Sequence, residues 1–428
     1  MRRTAGVLCV LCVVSLFAEP ASAQVRVQPP QFEQPHDLPA TLTPAPRAAW
    51  REYADVGALA ALLAAATYFA LRRRSRAGVV VTSLAALAYL GFWRQGCVCP
   101  VGSIQNVCQG LGGGYAIPLS VLAFFLLPLA ATLLFGRTFC AGACPLGAIQ
   151  DVVLLRPLKV PAWLDHALGL LPYVYLALAA ALAYVGSAYV ICRYDPFVGF
   201  FRLSATAGML TVGGCLLFIA LFVGRPYCRY LCPYGAILRP ISWSSWRHAK
   251  VSPDRCVQCR LCEQSCPFGA LRSATPETLG PRRAGLGLLA ATLALTPLLA
   301  AGGAALGWML RGPLSYNDAT VRLAQRVQLE EAGLARDTTD ASLTFRQSGQ
   351  PRPDLYAEAR RLTRRVGQAG AAAGGFVGLV VGLKLVSLTV RRRRKDFEPD
   401  RAKCFSCGRC FKYCPVGRGP APAAGNGE

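Results

Sequence analysis

Cys256-Val257-Gln258-Cys259-Arg260-Leu261-Cys262-Glu263-Gln264-Ser265-Cys266-Pro267 and Cys404-Phe405-Ser406-Cys407-Gly408-Arg409-Cys410-Phe411-Lys412-Tyr413-Cys414-Pro415 share one spacing, Cys-x2-Cys-x2-Cys-x3-Cys-Pro. In such a run three close thiolates take three irons of a cubane cluster, and the fourth cysteine reaches the neighbouring cluster. The spacing therefore predicts two 4Fe-4S clusters with crossed ligands. Cys256, Cys259, Cys262 and Cys414 are expected to hold the first, and Cys404, Cys407, Cys410 and Cys266 the second. Zinc ribbons also use Cys-x2-Cys pairs, but the third and fourth cysteines and both prolines match the ferredoxin run and not the paired zinc spacing. The two runs read as halves of one small ferredoxin-like α+β domain, 251–275 and 396–418, split by a long insertion.

Outward from these runs the chain is built for a membrane. Of its residues 54% are hydrophobic and 16% charged, and apolar segments fall at 56–71, 77–93, 116–135, 167–191, 207–224, 284–310 and 369–390. Most approach the ~20 residues that a helix needs to cross hydrocarbon. The expected fold class is mainly α, a polytopic transmembrane bundle of about seven spans with the ferredoxin-like domain on its cytoplasmic face. The formal charge of +24 resides largely in short runs beside apolar segments, such as Arg72-Arg73-Arg74 and Arg391 to Lys395. That placement points to membrane lipid and not to nucleic acid. Arg72 to Arg76, Arg137 to Lys159, Arg225 to Arg283 and the Arg391 run occupy alternate loops, which assigns them to the cytoplasm of a bacterial inner membrane.

The expected domain organisation follows. Arg2 and Arg3, the apolar stretch Ala5 to Phe17 and Ala21-Ser22-Ala23 mark 1–23 as a secretory signal peptide, with an uncleaved anchor as the alternative. Residues 24–52 are a Pro-rich extracytoplasmic linker, 53–250 a five-span membrane core, and 284–390 a transmembrane hairpin. Its external loop, 311–367, is expected to be helical around Val321 to Leu334 and Leu355 to Val366. The tail 419–428 is expected to be disordered.

The core carries a repeated helix end: Cys97-Val98-Cys99-Pro100, Cys140-x3-Cys144-Pro145-Leu146-Gly147 and Cys228-x3-Cys232-Pro233-Tyr234-Gly235. Cys192-Arg193-Tyr194-Asp195-Pro196 is a worn fourth copy. Spacing of i, i+4 sets both sulfurs of a pair on one helix face, so Cys140, Cys144, Cys228 and Cys232 are candidate ligands of a further redox or metal centre on the cytoplasmic side. Packing as small apolar residues is the alternative. On the external side Cys97, Cys99, Cys108 and Cys192 hold either a cofactor or a disulfide, for example Cys97 or Cys99 with Cys108. Cys215 lies within a span and reads as packing.

Other chemistries are poorly supplied. Cys-x2-Cys-His is absent, the three histidines are scattered, the chain has three methionines, and no dinucleotide or Walker motif follows a strand. No catalytic residue is assigned.

The two Cys-x3-Cys-Pro pairs followed by the Cys256 to Cys266 run resemble the NapH/NosR family of membrane polyferredoxins, over about residues 80 to 275. The resemblance implies transfer of electrons from the quinol pool or a cytoplasmic donor to a periplasmic reductase. The chain departs from the nitrous-oxide branch in having no recognisable periplasmic flavin-binding domain. Three functions are compatible with these features. The first is an electron conduit between a soluble donor and an extracytoplasmic respiratory or maturation partner. The second is a quinol dehydrogenase subunit, with quinone bound among the helices and Asp195 and Tyr194 handling its protons. The third is an assembly factor that reduces a metal or disulfide through Cys97 and Cys99.

Overall fold

The computed structural model describes residues 48–96, 99–113, 116–249, 259–272, 282–335, 337–390 and 397–415. The expected signal peptide, most of the linker, the tail, Cys97 and Cys256 lie outside these residues.

Helix α1 (Ala49–Thr67) starts within the expected linker and runs into a π-helical turn, Tyr68–Arg72; α2 (Arg76–Ala86) likewise runs into Leu87–Trp93. The amphipathic α3 (Pro100–Leu111) precedes α4 (Leu119–Phe135), apolar around its whole circumference. Then come α5 (Pro145–Val153), α6 (Ala162–Leu168), α7 (Leu171–Val185), α8 (Val190–Tyr194), α9 (Pro196–Arg202) and α10 (Ala207–Ala220). Two short helices, α11 (Pro226–Tyr230) and α12 (Pro233–Trp243), close the core.

Among the described residues five helices are long and apolar enough to cross a membrane. The pair α9 and α10, bent by 109°, raises this to six, and α4 is a shorter apolar helix. All seven expected apolar segments fall on helices. The bend follows from Leu203, which adopts a left-handed φ of +53°, and from Thr206, whose hydroxyl accepts from Met209 N to start α10 anew.

After α13 (Leu261–Ser265) and the two-residue strand β1 (Leu271–Arg272), α14 (Arg282–Met309) leads through α15 (Arg311–Ser315), α16 (Ala319–Glu331) and α17 (Asp340–Gln347) into α18 (Arg352–Thr389). The helix expected at Leu355 to Val366 is therefore no separate loop element. It is the start of a 38-residue helix, ~57 Å long at 1.5 Å per residue. Antiparallel α14 and α18 meet backbone to backbone: a Cβ on Gly374 would lie 2.0 Å from Gly303 O, and one on Gly307 2.0 Å from Gly370 O. Small residues allow such close approach where lipid provides no hydrophobic drive for helix association.

The chain returns to β2 (Glu398–Pro399) and α19 (Arg409–Tyr413). β2 pairs antiparallel with β1, Leu271 opposite Pro399 and Arg272 opposite Glu398, while α19 packs on α13. The ends of the insertion thus rejoin as one unit.

Candidate iron-sulfur sites

The ferredoxin halves repeat one local geometry. The residue after the second cysteine is left-handed in each, Arg260 at φ +58° and Gly408 at +73°. It caps a single helical turn carrying the third cysteine, and the fourth, Cys266 or Cys414, leaves that turn extended. Cys266, Cys404, Cys407 and Cys410 line one cavity with Phe268, Leu271 and Phe405. The donor set suits a cluster: four sulfurs from both halves, apolar walls, and an amide, Ala270 N, donating to Cys266 Sγ at 3.4 Å. Burial pushes the Cys404 thiol up to about 12, so its ligand form needs the positive charge that iron supplies. Of the other set, Cys259 is exposed, Cys262 buried and Cys414 half-buried; Cys256 lies outside the described residues. Among the described residues no three cysteine, histidine or carboxylate side chains converge on a single ion.

The second half is bolted to the membrane core. Arg76 Nη1 donates to Cys407 O at 2.8 Å, Ser242 Oγ to Arg401 O at 2.8 Å, and Arg401 Nη1 to Ser245 O at 3.2 Å. Lys403 pairs with Asp165, which Arg229 also engages at 2.6 Å. Contacts from Arg76, Arg137 and Ser242 to residues 401–407 bring three of the basic loops to one face.

Beneath this half lie Cys140, Cys144, Cys228 and Cys232, all buried. The i, i+4 pairs do not share one continuous helix. Cys140 sits in a π-helical turn, Phe139–Ala143, and Cys144 caps α5; Cys228 lies in α11 and Cys232 caps α12. The proline after each second cysteine explains the break, because it fits the first helical position, where no amide donor is needed. Sulfur-directed donors are already present: Gln150 Nε2 lies 3.3 Å from Cys228 Sγ, Gly235 N 3.3 Å from Cys232 Sγ, and Arg137 Nη2 3.8 Å from Cys140 Sγ.

Two buried arginines complete this chamber, and the cysteine pattern alone did not single them out. Arg137 and Arg225 each stand three residues before the first cysteine of a pair, so the repeat is Arg-x2-Cys-x3-Cys-Pro-x-Gly. Each reaches the other copy. Arg225 donates to Cys140 O and to Ala141 O, while Arg137 Nη2 would lie 3.5 Å from a Cβ added at Gly235. Both guanidinium groups face the Phe405 ring of the second ferredoxin half, at 4.1 Å for Arg137 and 5.7 Å for Arg225. Arg225 also grips Asp151, at 3.0 and 2.8 Å. Burial alone would raise the Asp151 carboxyl, but Arg225 holds it below its ordinary range.

Of the expected external set, Cys99, Cys108 and Cys192 are described. Cys99 caps α3 and falls within electrostatic reach of both Cys144 and Cys192, so it does not stand apart from the inner four. Cys192 N donates to Gln105 Oε1 at 3.1 Å, which ties its loop to α3. A Cys99 to Cys108 disulfide is ruled out by helix geometry: nine residues of α3 separate them by ~13 Å, beyond the ~7 Å limit for bridged Cα atoms. Cys99 and Cys108 are not joined to one another. Asp195 takes the cysteine's place in the fourth copy. Fully buried, it accepts from Phe197 N at 2.9 Å, Val198 N at 3.3 Å and Tyr227 OH at 2.6 Å, whereas Tyr194 points outward.

A 4Fe-4S binding domain model matches residues 117–162 and 205–253, each stretch holding one Arg-x2-Cys-x3-Cys-Pro unit. A second 4Fe-4S binding domain model matches 249–272. Uncharacterized protein MJ0750 of Methanocaldococcus jannaschii is 31% identical over 190 residues, 42% of this chain and 77% of that one. YccM of Escherichia coli is 29% identical over 187 residues, 39% of this chain and 52% of that one. Protein NirI of Paracoccus denitrificans is 28% identical over 215 residues, 47% of this chain and 32% of that one. The chain thus spans about half the length of YccM and about a third of NirI. No solved structure matches. With this likeness concentrated on the cysteine-bearing core, the chain belongs to the family of membrane polyferredoxins that includes NosR, NirI and YccM, and it is an iron-sulfur electron-transport protein.

Proposed function

We propose that the chain carries electrons one at a time between a cytoplasmic donor and an extracytoplasmic respiratory or maturation partner. Two 4Fe-4S clusters sit in the ferredoxin halves and a third iron-sulfur centre lies among Cys140, Cys144, Cys228 and Cys232. When bound, each cluster supplies a one-electron couple, and the side chains around it hold, insulate and polarise it. The observation that carries this reading is the stacking of Phe405, from the second half, on Arg137 and Arg225, which reach back into the four-cysteine chamber. No lipid intervenes between these sites in that arrangement. Hydrocarbon is ~30 Å thick, so a relay across it needs stations within the protein. Cys99 and Cys192 extend the line away from the ferredoxin halves. The run of basic residues on alternate loops supports assigning those halves to the cytoplasmic side of a bacterial inner membrane. The partner then docks near helices α16 and α17.

Iron and acid-labile sulfide quantification with electron paramagnetic resonance on anaerobically purified protein tests this. Three cubanes require about 12 irons and two about 8. Cys140→Ser is expected to lose the inner centre alone, and Cys410→Ser to lose or convert the cluster bound with Cys266. Wild-type protein holding only about 8 irons, with a spectrum unchanged by Cys140→Ser, would sink the inner centre.

A further inference from the structure

We infer that Arg137 is the potential-setting residue of the inner centre, holding its reduced state by charge and tying it to the second ferredoxin half through Phe405. This rests on the reading that Cys140, Cys144, Cys228 and Cys232 hold an iron-sulfur centre. Arg137 is 1% exposed. Its Nη1 donates to Ala402 O at 3.2 Å, its Nη2 approaches Cys140 Sγ, and its plane covers Phe405. Its Nε is buried with no hydrogen-bond partner, and among the described residues no carboxylate lies within ion-pair distance of it.

A buried, uncompensated charge is costly, and proteins pair it or neutralise it. The related arginine follows that rule: Arg225 has Asp151, six residues after Pro145. Six residues after Pro233 the other copy carries Arg239 instead. The contacts cross between the copies: Arg225 of the second is neutralised by Asp151 of the first, whereas Arg137 of the first meets Arg239 of the second and no carboxylate, which leaves excess positive charge beside Cys140. The counter-charge that fits is an anionic group at the cysteines. A cluster ligated by four thiolates is anionic and gains one further negative charge on reduction, so a neighbouring guanidinium favours its reduced form. The transfer involved is one electron: the cluster at Cys266, Cys404, Cys407 and Cys410 is oxidised by one, the inner centre is reduced by one, and no bond or proton moves. The charge of Arg137 makes the inner centre a better acceptor than it would be without that guanidinium.

Redox-poised paramagnetic resonance titration of the purified full chain provides the test, with iron content measured in parallel. Arg137→Gln is expected to shift the reduced-to-oxidised ratio of the inner centre at least tenfold toward oxidised at fixed potential, ~59 mV for a one-electron couple. Arg137→Lys, which keeps the charge, is expected to recover most of that shift. Asp151→Asn, which leaves Arg225 unbalanced, is expected to move the midpoint the opposite way, toward easier reduction. An inner centre that loads normally and titrates identically in wild type and Arg137→Gln overturns the inference alone. If Arg137→Gln does not load, Arg137→Lys and Asp151→Asn decide, and a midpoint unmoved by Asp151→Asn counts against it. Wild-type protein without an inner centre overturns the underlying reading, and this inference with it.

Discussion

The two copies of Arg-x2-Cys-x3-Cys-Pro-x-Gly have the same local geometry, but their arginines differ in charge balance. Cys144 and Cys232 both cap a proline-started helix, and Gly147 and Gly235 sit alike above the carbonyl of the first cysteine, at 3.3 Å in each case for an added Cβ. Yet Arg225 is locked to a carboxylate and two carbonyls, while Arg137 meets a sulfur, one carbonyl and an aromatic face. Shared spacing thus fixes where the thiols are held, and the residues one turn further on decide what charge surrounds them.

The largest break in this comparison comes from deleting each arginine. Arg225→Met leaves Asp151 buried without its main partner, which costs about 3–5 kcal/mol. Arg137→Met removes a charge with no carboxylate partner and forfeits one hydrogen bond to a carbonyl, one weak one to sulfur and one cation–π contact, about 1–2 kcal/mol. Thermal unfolding in detergent should rank the two well apart; equal losses would erase the distinction between the copies.

The glycines sharpen the contrast at a smaller scale. A Cβ at Gly147 would lie 2.9 Å from Nη1 of Arg225, a guanidinium that cannot retreat without breaking its ion pair. At Gly235 the nearest atom of Arg137 is 3.5 Å away, an ordinary contact. Gly147→Ala is expected to cost about 1–3 kcal/mol as overpacking, and Gly235→Ala less than about 1 kcal/mol. The same unfolding assay reads both, and a larger loss from Gly235→Ala would reverse the assignment of the tight copy.

Much of this layout was legible in the chain. Hydropathy located the apolar helices, and the two ferredoxin runs implied a shared unit, to which the pairing of Leu271–Arg272 with Glu398–Pro399 corresponds. What escaped has identifiable causes. Strands of two residues leave no alternation to detect, and they pair only because the insertion brings their ends together. Cys140 and Cys144 look like helix neighbours by spacing, but Pro145 ends that helix and starts another. Polar residues at Arg352 to Arg365 hid the continuity of α18, whose outer half packs on α16 outside the apolar stretch. Arg137 and Arg225 were visible as a repeated letter three places before a cysteine. Their burial is a tertiary fact, because an arginine at a helix end is ordinarily solvated or snorkels toward headgroups.

The smallest expected effect tests the charge balance by proton. Asp151 is held below its ordinary range by Arg225 in the folded chain, so the unfolded state binds the proton more readily. The stabilisation is fully present above the unfolded carboxylate value of about 3.9 and is lost as pH falls through the lower folded value. Melting temperatures recorded from about pH 6 to about pH 3 should therefore fall more steeply for wild type than for Asp151→Asn. Cluster loss in acid is common to both proteins, so the difference between the two curves isolates the carboxylate. Arg137→Met should keep the wild-type slope, since its site holds no acid to titrate among the described residues. A flattened slope in Arg137→Met would mean that the two arginines share Asp151's field, and that the copies differ less in charge than their ion pairs indicate.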